Sequence, residues 1–127
     1  MSIRVLIVDD QAPFRHAARA VTEATDGFLV VGEAETGEAS VEAARTLKPD
    51  LVLMDVNLPG INGLDATRQI LTDSNGVVVV LLLSTYEEEE YGSKAAECGA
   101  RAYIAKSKFD PDRLAAAWDS ARTMQPG

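Results

Sequence analysis

Five short apolar runs recur along the chain, and the stretches between them repeat their apolar residues at helical spacing. Short runs rich in β-branched side chains are typical of strands buried on both faces of a parallel sheet. Strict alternation of such strands with helices, joined by right-handed crossovers, predicts an α/β fold wound on both sides of one sheet. We therefore expect a (βα)5 domain with strands at 3–8, 28–32, 51–54, 77–83 and 102–105.

The helical stretches carry their own start and stop signals. Pro49 prevents the second helix from continuing, and Gly99 supplies a C-terminal cap for the fourth. Asp110 and Pro111 begin the fifth, as a capping residue followed by proline at the first helical position. In the first helix, intervals of three and four predict a buried stripe of Phe14, Ala17, Ala18, Val21 and Ala24.

Acidic residues stand directly after two of the apolar runs. Asp9 and Asp10 follow 3–8, and Asp55 follows 51–54. Parallel strands place their carboxyl ends at one edge of the sheet, where ligands of open α/β folds bind. Two carboxylates ~5 Å apart repel by roughly 3 kcal/mol at an effective dielectric of ~20. The sequence therefore predicts a site for a hard cation at this edge.

Two further polar side chains follow later strands. Ser84 comes after the fourth apolar run and Lys106 after the fifth. In the flavodoxin-like strand order 2-1-3-4-5, strands one, three, four and five are neighbours, so all these groups converge. Thr85 is an alternative to Ser84 as the hydroxyl of the site, and Ser84 is preferred because it directly follows the run.

This set of groups suits phosphoryl transfer onto a carboxylate. A carboxylate can act as the nucleophile and form an aspartyl phosphate. Mg²⁺ takes oxygen ligands, typically one or two carboxylates together with phosphate oxygens. A lysine adds a positive charge for one phosphoryl oxygen, and a hydroxyl can donate to another.

Over essentially its whole length the sequence resembles the receiver domain of two-component response regulators. The resemblance rests on several motifs taken together, since an isolated Asp-Asp or Leu-Pro-Gly is common. They are Val8-Asp9-Asp10, Met54-Asp55-Val56-Asn57-Leu58-Pro59-Gly60 with Gly63 beyond, Leu83-Ser84-Thr85, and Gly99-Ala100 leading to Tyr103-Ile104-Ala105-Lys106.

The resemblance implies a role for each matching residue. Asp55 would accept a phosphoryl group from a histidine kinase. Mg²⁺ would be bound by Asp10, Asp55 and the backbone carbonyl of Asn57, with Asp9 assisting through water. Three further residues would contact the phosphoryl group or take part in the switch, namely Ser84 as hydrogen-bond donor, Lys106 as ion-pair partner and Tyr103 as the aromatic switch residue.

The segments 31–34, 37–39, 66–68 and 90–91 look like the NarL-type (LuxR/FixJ-like) class of response regulators. Full-length members of that class carry a C-terminal helix-turn-helix that binds DNA. We therefore expect residues 1–127 to be one receiver domain, separated from an output domain that controls transcription. A stand-alone receiver acting through protein–protein contact is the alternative. Homodimerisation on phosphorylation is an outcome that the resemblance allows.

Charge and composition exclude several classes of protein. Twelve basic and twenty acidic residues give a net charge of −8, which argues against nucleic-acid contact by this domain. One cysteine excludes an internal disulfide. No signal peptide opens the chain and its longest apolar run has seven residues, so we expect a cytoplasmic protein without membrane contact.

Two other functions on a similar fold fit the residues less well. A flavodoxin-like electron carrier would need a phosphate cradle rich in serine, threonine and glycine after the first strand, where Asp9 and Asp10 stand. A metal-dependent phosphohydrolase would need a general acid–base near its nucleophile, and Val56 and Asn57 offer none. We therefore expect a phosphoacceptor domain and not an enzyme that turns over a substrate.

Overall fold

Five parallel strands form one sheet in the order β2-β1-β3-β4-β5. This is the predicted flavodoxin-like order. The structure is a computed structural model that describes residues 2–85 and 88–123, with the side chains of 88–92 and 123 outside the description. The strands are β1 (Ile3–Val8), β2 (Phe28–Ala34), β3 (Leu51–Asp55), β4 (Val79–Ser84) and β5 (Ala102–Ala105).

Helices cover both faces of the sheet. Side chains from α1 and α5 pack on one face, and side chains from α2, α3 and α4 pack on the other. The alternation is visible in β1, where Val5 and Ile7 belong to the first layer and Leu6 and Val8 to the second. The helices are α1 (Ala12–Glu23), α2 (Gly37–Leu47), α3 (Gly63–Ser74), α4 (Glu88–Glu97) and α5 (Pro111–Thr123), with a 3₁₀ turn at Lys106–Lys108 before α5.

The predicted helix signals are present. Asp110 caps α5, since its Oδ1 accepts the backbone N–H of Arg113 at 2.7 Å. Gly99 follows α4 with a φ of +94°, a conformation that glycine adopts without strain. Among the described residues, no helix is both long and apolar enough to cross a membrane.

Three local predictions are wrong. The second strand, predicted to end at residue 32, extends to Ala34 because it stays paired with β1 up to Val8. The fourth strand was expected from residue 77, but Val77 is 74% exposed and β4 begins at Val79, because the turn after α3 extends through Asn75 and Gly76. The predicted stripe of α1 is also only partly buried. Ala17 and Ala24 are exposed, whereas Thr22 is fully buried because its hydroxyl donates to the Ala18 carbonyl at 2.7 Å.

The start of α3 lies directly against the end of β3. The backbone N–H of Gly63 donates to the Val56 carbonyl at 2.9 Å. A Cβ at Gly63 would collide with the backbone carbonyl of Asp55 and with the Cα of Val56. Backbone atoms cannot move aside as the end of a flexible side chain can, so only glycine fits here.

We expect Gly63→Ala to lower the free energy of unfolding by about 1–3 kcal/mol, the usual cost of overpacking a close-packed site. Urea denaturation measures the change. Gln69→Ala, on the exposed face of the same helix, is the matched control and should change stability by no more than about 0.5 kcal/mol. Equal stability for Gly63→Ala and wild type would contradict the close contact.

Candidate functional site

Neighbouring strands bring three carboxylates together. β1 and β3 are adjacent, with Val8 paired to Met54, so Asp9 and Asp10 emerge beside Asp55. One carboxylate oxygen from each of the three aspartates lies within 4.8 Å of the others. Asp9 and Asp55 are buried, at 1% and 4% exposure, and Asp10 is exposed. The cluster is thus open to solvent on the side of Asp10.

Four hydrogen bonds hold Asp9. Its backbone N–H donates to the Ala34 carbonyl at 3.1 Å, and its own carbonyl accepts from Arg15 Nη1 at 2.8 Å. In the side chain, Oδ1 accepts the backbone N–H of Gln11 at 2.8 Å, and Oδ2 accepts Lys106 Nζ at 2.6 Å. Both carboxylate oxygens of this buried residue are therefore paired.

Lys106 supplies positive charge to the cluster. It lies at the start of the 3₁₀ turn that follows β5, and its Nζ is 2.6 Å from Asp9 Oδ2 and 3.5 Å from Asp55 Oδ1. The same ammonium lies 4.4 Å from the centroid of the Phe14 ring. Such a cation–π contact stabilises a charge by about 0.5–1 kcal/mol or more when water is excluded. Phe14 and Asp9 thus hold the ammonium beside Asp55.

The environment of Asp55 disfavours its charged form. Burial, followed by the negative charge of Asp9, raises the pKa of Asp55 from its ordinary 3.8 to about 6. Lys106 and the backbone N–H of Asn57 oppose this rise without cancelling it. At neutral pH Asp55 is still mostly ionised, and its charge is less well compensated than that of Asp9.

The two candidate hydroxyls lie in different surroundings. Thr85 is exposed and lines a cleft of about 300 Å³ together with Asp10, Gln11, Asp55, Asn57 and Lys106. Ser84 ends β4 and is fully buried. The structure therefore brings Thr85 to the wall of the cleft, and the preference for Ser84 as the phosphoryl-contacting hydroxyl stays a prediction.

Tyr103 lies away from the carboxylates. It is 8% exposed and packs in the layer beneath α4 that contains Leu82, Ala95 and Cys98. It pairs with Leu82, two residues before Ser84 along β4. Ser84 and Tyr103 thus lie near each other on the two last strands, while the switch role of Tyr103 remains a prediction.

No pattern in the sequence points to three other residues that contact the site. Gln11 and Arg15 bond to Asp9, and Phe14 packs on Lys106. Phe14 was predicted only as part of the helix stripe. The hydrogen bond from Arg15 to the carbonyl of Asp9 depends on the geometry of the turn between β1 and α1, so it could not be recognised from the amino-acid sequence.

Comparisons with known proteins agree on the family. The family described as response regulator receiver domain matches residues 5–119. The response regulator GacA of Pseudomonas viridiflava is 43% identical over 104 residues, covering 82% of this chain and 48% of GacA. The transcriptional regulatory protein DegU of Brevibacillus brevis is 36% identical over 112 residues, covering 88% of this chain and 47% of DegU. The chain therefore spans about half the length of these relatives.

A solved structure of similar shape comes from the same class. The signal receiver domain of the putative response regulator NarL from Mycobacterium tuberculosis superposes with a TM-score of 0.85 at 27% identity. The match covers 95% of this chain and 97% of that domain. The resemblance to NarL-type receivers inferred from the sequence is confirmed.

The raised pKa of Asp55 leads to a test in the absence of divalent cations. A folded-state pKa above 3.8 means that ionisation of Asp55 costs folding free energy, a cost absent below about pH 3.8 and fully present above about pH 6. Asp55→Asn should therefore gain stability relative to wild type as the pH rises from 4.5 to 7.5. The gain has an upper limit of about 3 kcal/mol, since each pKa unit corresponds to about 1.4 kcal/mol.

Urea denaturation in EDTA at the two pH values measures this gain. Asp65→Asn, in the exposed first turn of α3, controls for the loss of a carboxylate as such. A stability difference between Asp55→Asn and wild type that is the same at both pH values would contradict the raised pKa.

Proposed function

The chain belongs to the response regulator receiver domain family of two-component systems, and we propose that it accepts a phosphoryl group from a histidine kinase on Asp55. The position of Asp55 carries this proposal. Asp55 is the last residue of β3 and lines the cleft, with its Oδ1 3.5 Å from Lys106 Nζ. Asp9 is the less suitable nucleophile, because both its oxygens make bonds of 2.8 Å or less.

In the proposed step, an oxygen of ionised Asp55 attacks the phosphorus of a phosphohistidine. A P–O bond forms while the P–N bond breaks, and the electron pair of that bond leaves with the imidazole nitrogen. Because the transition state requires little covalent help, the chain contributes mainly position and charge. The domain thereby promotes its own phosphorylation and later hydrolysis, without a separate substrate to turn over.

The carboxylate cluster fits Mg²⁺. Asp10, Asp55 and the backbone carbonyl of Asn57 would hold the ion, with Asp9 assisting through water. The support is chemical, since oxygen atoms within 4.8 Å of one another beside a solvent-open cleft are the donors that this ion takes. When bound, Mg²⁺ neutralises negative charge on the transferring phosphoryl group.

Three residues would then respond to the phosphoryl group. Lys106 would pair with one of its oxygens, and Ser84, or Thr85 at the wall of the cleft, would donate to another. A phosphoryl group adds about −1.5 to −2 charges and strong acceptor oxygens. Movement of the Ser84 segment toward it would leave space for Tyr103, which packs on the adjacent strand, and so alter the surface of α4, β5 and α5.

We propose transcription as the output of the full-length protein, through a DNA-binding domain that follows residues 1–127. The relatives are about twice as long as this chain, and DegU is a transcriptional regulatory protein. A reading frame that continues into a helix-turn-helix would support this output, and one that stops at 127 would favour the stand-alone alternative. Homodimerisation on phosphorylation, and the absence of nucleic-acid contact by this domain, remain predictions.

Incubation with acetyl phosphate and Mg²⁺ should add one phosphoryl group to the wild-type chain, as measured by intact mass. Asp55→Asn should prevent the addition, because an amide oxygen is a poor nucleophile, and EDTA should suppress it. Asp65→Asn, which removes the carboxylate of an exposed aspartate, is the control and should be labelled like wild type. Undiminished labelling of Asp55→Asn would move the acceptor elsewhere.

Lys106→Ala should impair the response to phosphorylation more than phosphorylation itself, because Mg²⁺ still neutralises the transferring group. Labelling of Asp55 should persist at a reduced rate. The change in hydrogen exchange that phosphorylation produces in peptides covering β4 and β5 should shrink or vanish. Lys108→Ala, in the same 3₁₀ turn, is the matched control. A wild-type exchange change in Lys106→Ala would refute this coupling, whatever its labelling rate.

A further inference from the structure

Arg15 connects the turn at Asp9 and Asp10, where β1 ends, to the end of the outer strand β2. It lies in the first half of α1, and its guanidinium makes three contacts with different groups. Nη1 donates to the backbone carbonyl of Asp9 at 2.8 Å, Nε lies 3.1 Å from Glu33 Oε1, and Nη2 lies 3.2 Å from Glu35 Oε1. The two glutamates lie at the end of β2, which contributes no group to the carboxylate cluster.

The carbonyl that Arg15 holds belongs to the peptide between Asp9 and Asp10. That peptide carries the exposed carboxylate of Asp10 on one side and the buried carboxylate of Asp9 on the other. Since the peptide is planar, a hydrogen bond to its oxygen restrains the direction in which the chain leaves β1. Arg15 therefore restrains the point from which Asp10 reaches the cleft.

Arg19 provides an internal comparison one turn further along α1. Its guanidinium also pairs with Glu33, at 2.7 Å, and with Glu23 at 3.3 Å. The two arginines differ in what else they touch and in burial, because the Arg15 side chain is 13% exposed and that of Arg19 is 42% exposed. Among the described residues, Arg15 bonds to the Asp9 carbonyl and pairs with Glu35, whereas Arg19 makes neither contact.

We propose that Arg15 is a positioning residue for Mg²⁺: it holds the Asp9–Asp10 peptide so that the Asp10 carboxylate is in place for the ion, and Glu33 and Glu35 hold Arg15. The inference rests on the proposed function, because it assumes that Mg²⁺ binds at Asp10 and Asp55. Residues that orient metal ligands typically change metal affinity by 10–100-fold when they are replaced.

Simple electrostatics predicts the opposite result, which makes the proposal testable. Arg15 is a cation near a cation site, so replacing it by a neutral residue would tighten Mg²⁺ binding if charge alone acted. Loss of the restraint on the Asp9–Asp10 peptide would weaken binding. The sign of the change therefore separates positioning from long-range charge.

The test is titration of ¹⁵N-labelled protein with MgCl₂ at constant ionic strength, followed through the amide shifts of residues 8–11 and 55–57. We expect Arg15→Met to bind Mg²⁺ about tenfold more weakly than wild type. Arg19→Met, which removes a like charge from the same network, should stay within about twofold. In the metal-free protein, exchange of the Gln11 amide, which donates to Asp9 Oδ1, should accelerate in Arg15→Met and not in Arg19→Met.

Two additional variants protect the test against a folding defect. Arg15→Lys keeps the charge but cannot reach three acceptors in the forked geometry of a guanidinium, so its affinity should fall between those of wild type and Arg15→Met. Glu35→Gln weakens the support of Arg15 without touching Asp9 and should weaken binding by a smaller factor. Thermal melts of all variants identify any that fail to fold.

The other results each lead to a definite conclusion. Unchanged or tighter binding by Arg15→Met overturns the positioning role while leaving the proposed function intact. Equal weakening in Arg15→Met and Arg19→Met also overturns it, since the shared loss would then come from the Glu33 network. Failure of wild type to bind Mg²⁺ refutes the metal assignment of the proposed function, and the role of Arg15 with it.

Discussion

The ion pair between Lys106 and Asp9 joins strands that are not neighbours in the sheet. β1 and β5 are separated by β3 and β4, yet Lys106 Nζ lies 2.6 Å from Asp9 Oδ2 and 3.5 Å from Asp55 Oδ1. Burying an ionised carboxylate costs several kcal/mol unless charge and hydrogen bonds compensate it. Asp9, at 1% exposure, has that compensation on both oxygens. The carboxyl edge of the sheet can thus hold a buried negative charge.

The charges of the two buried aspartates are compensated to different extents, because Lys106 lies closer to Asp9 than to Asp55. The closer contact of Lys106 serves Asp9, and burial together with the charge of Asp9 keeps the pKa of Asp55 raised to about 6. Asp55 is therefore a carboxylate whose charge the protein compensates only in part. Such a group gains more than Asp9 does from an added cation. The same asymmetry supports its assignment as the acceptor.

Much of this arrangement could be predicted from the sequence, because it depends on strand ends. The position of Asp9, Asp10 and Asp55 follows from where the apolar runs stop and from the parallel sheet, and the strand order then brings Lys106 to them. Burial of single helix residues could not be predicted. Thr22 is a polar residue, but its hydroxyl donates a hydrogen bond to the Ala18 carbonyl within its own helix. It can therefore lie in the core as an apolar residue would.

Contacts between side chains that lie far apart in the sequence could not be predicted from it either. The network of Arg15 with Glu33 and Glu35 depends on how α1 lies beside β2, and the three charges have no periodicity that marks them. For a related reason, the sequence alone does not decide between Ser84 and Thr85. Both follow the apolar run, and only the path of the chain after β4 determines which one lines the cleft.

The local charges indicate how a positively charged residue would support the proposed Mg²⁺ site without weakening it. With all groups ionised, the carboxylates of Asp9, Asp10 and Asp55 and the ammonium of Lys106 leave a net charge of −2, equal and opposite to that of Mg²⁺. Arg15 does not disturb this balance, because Glu33 and Glu35 compensate its guanidinium on the side of β2. The end of the outer strand thus contributes no carboxylate to the cluster, but its glutamates hold a rigid hydrogen-bond donor behind it.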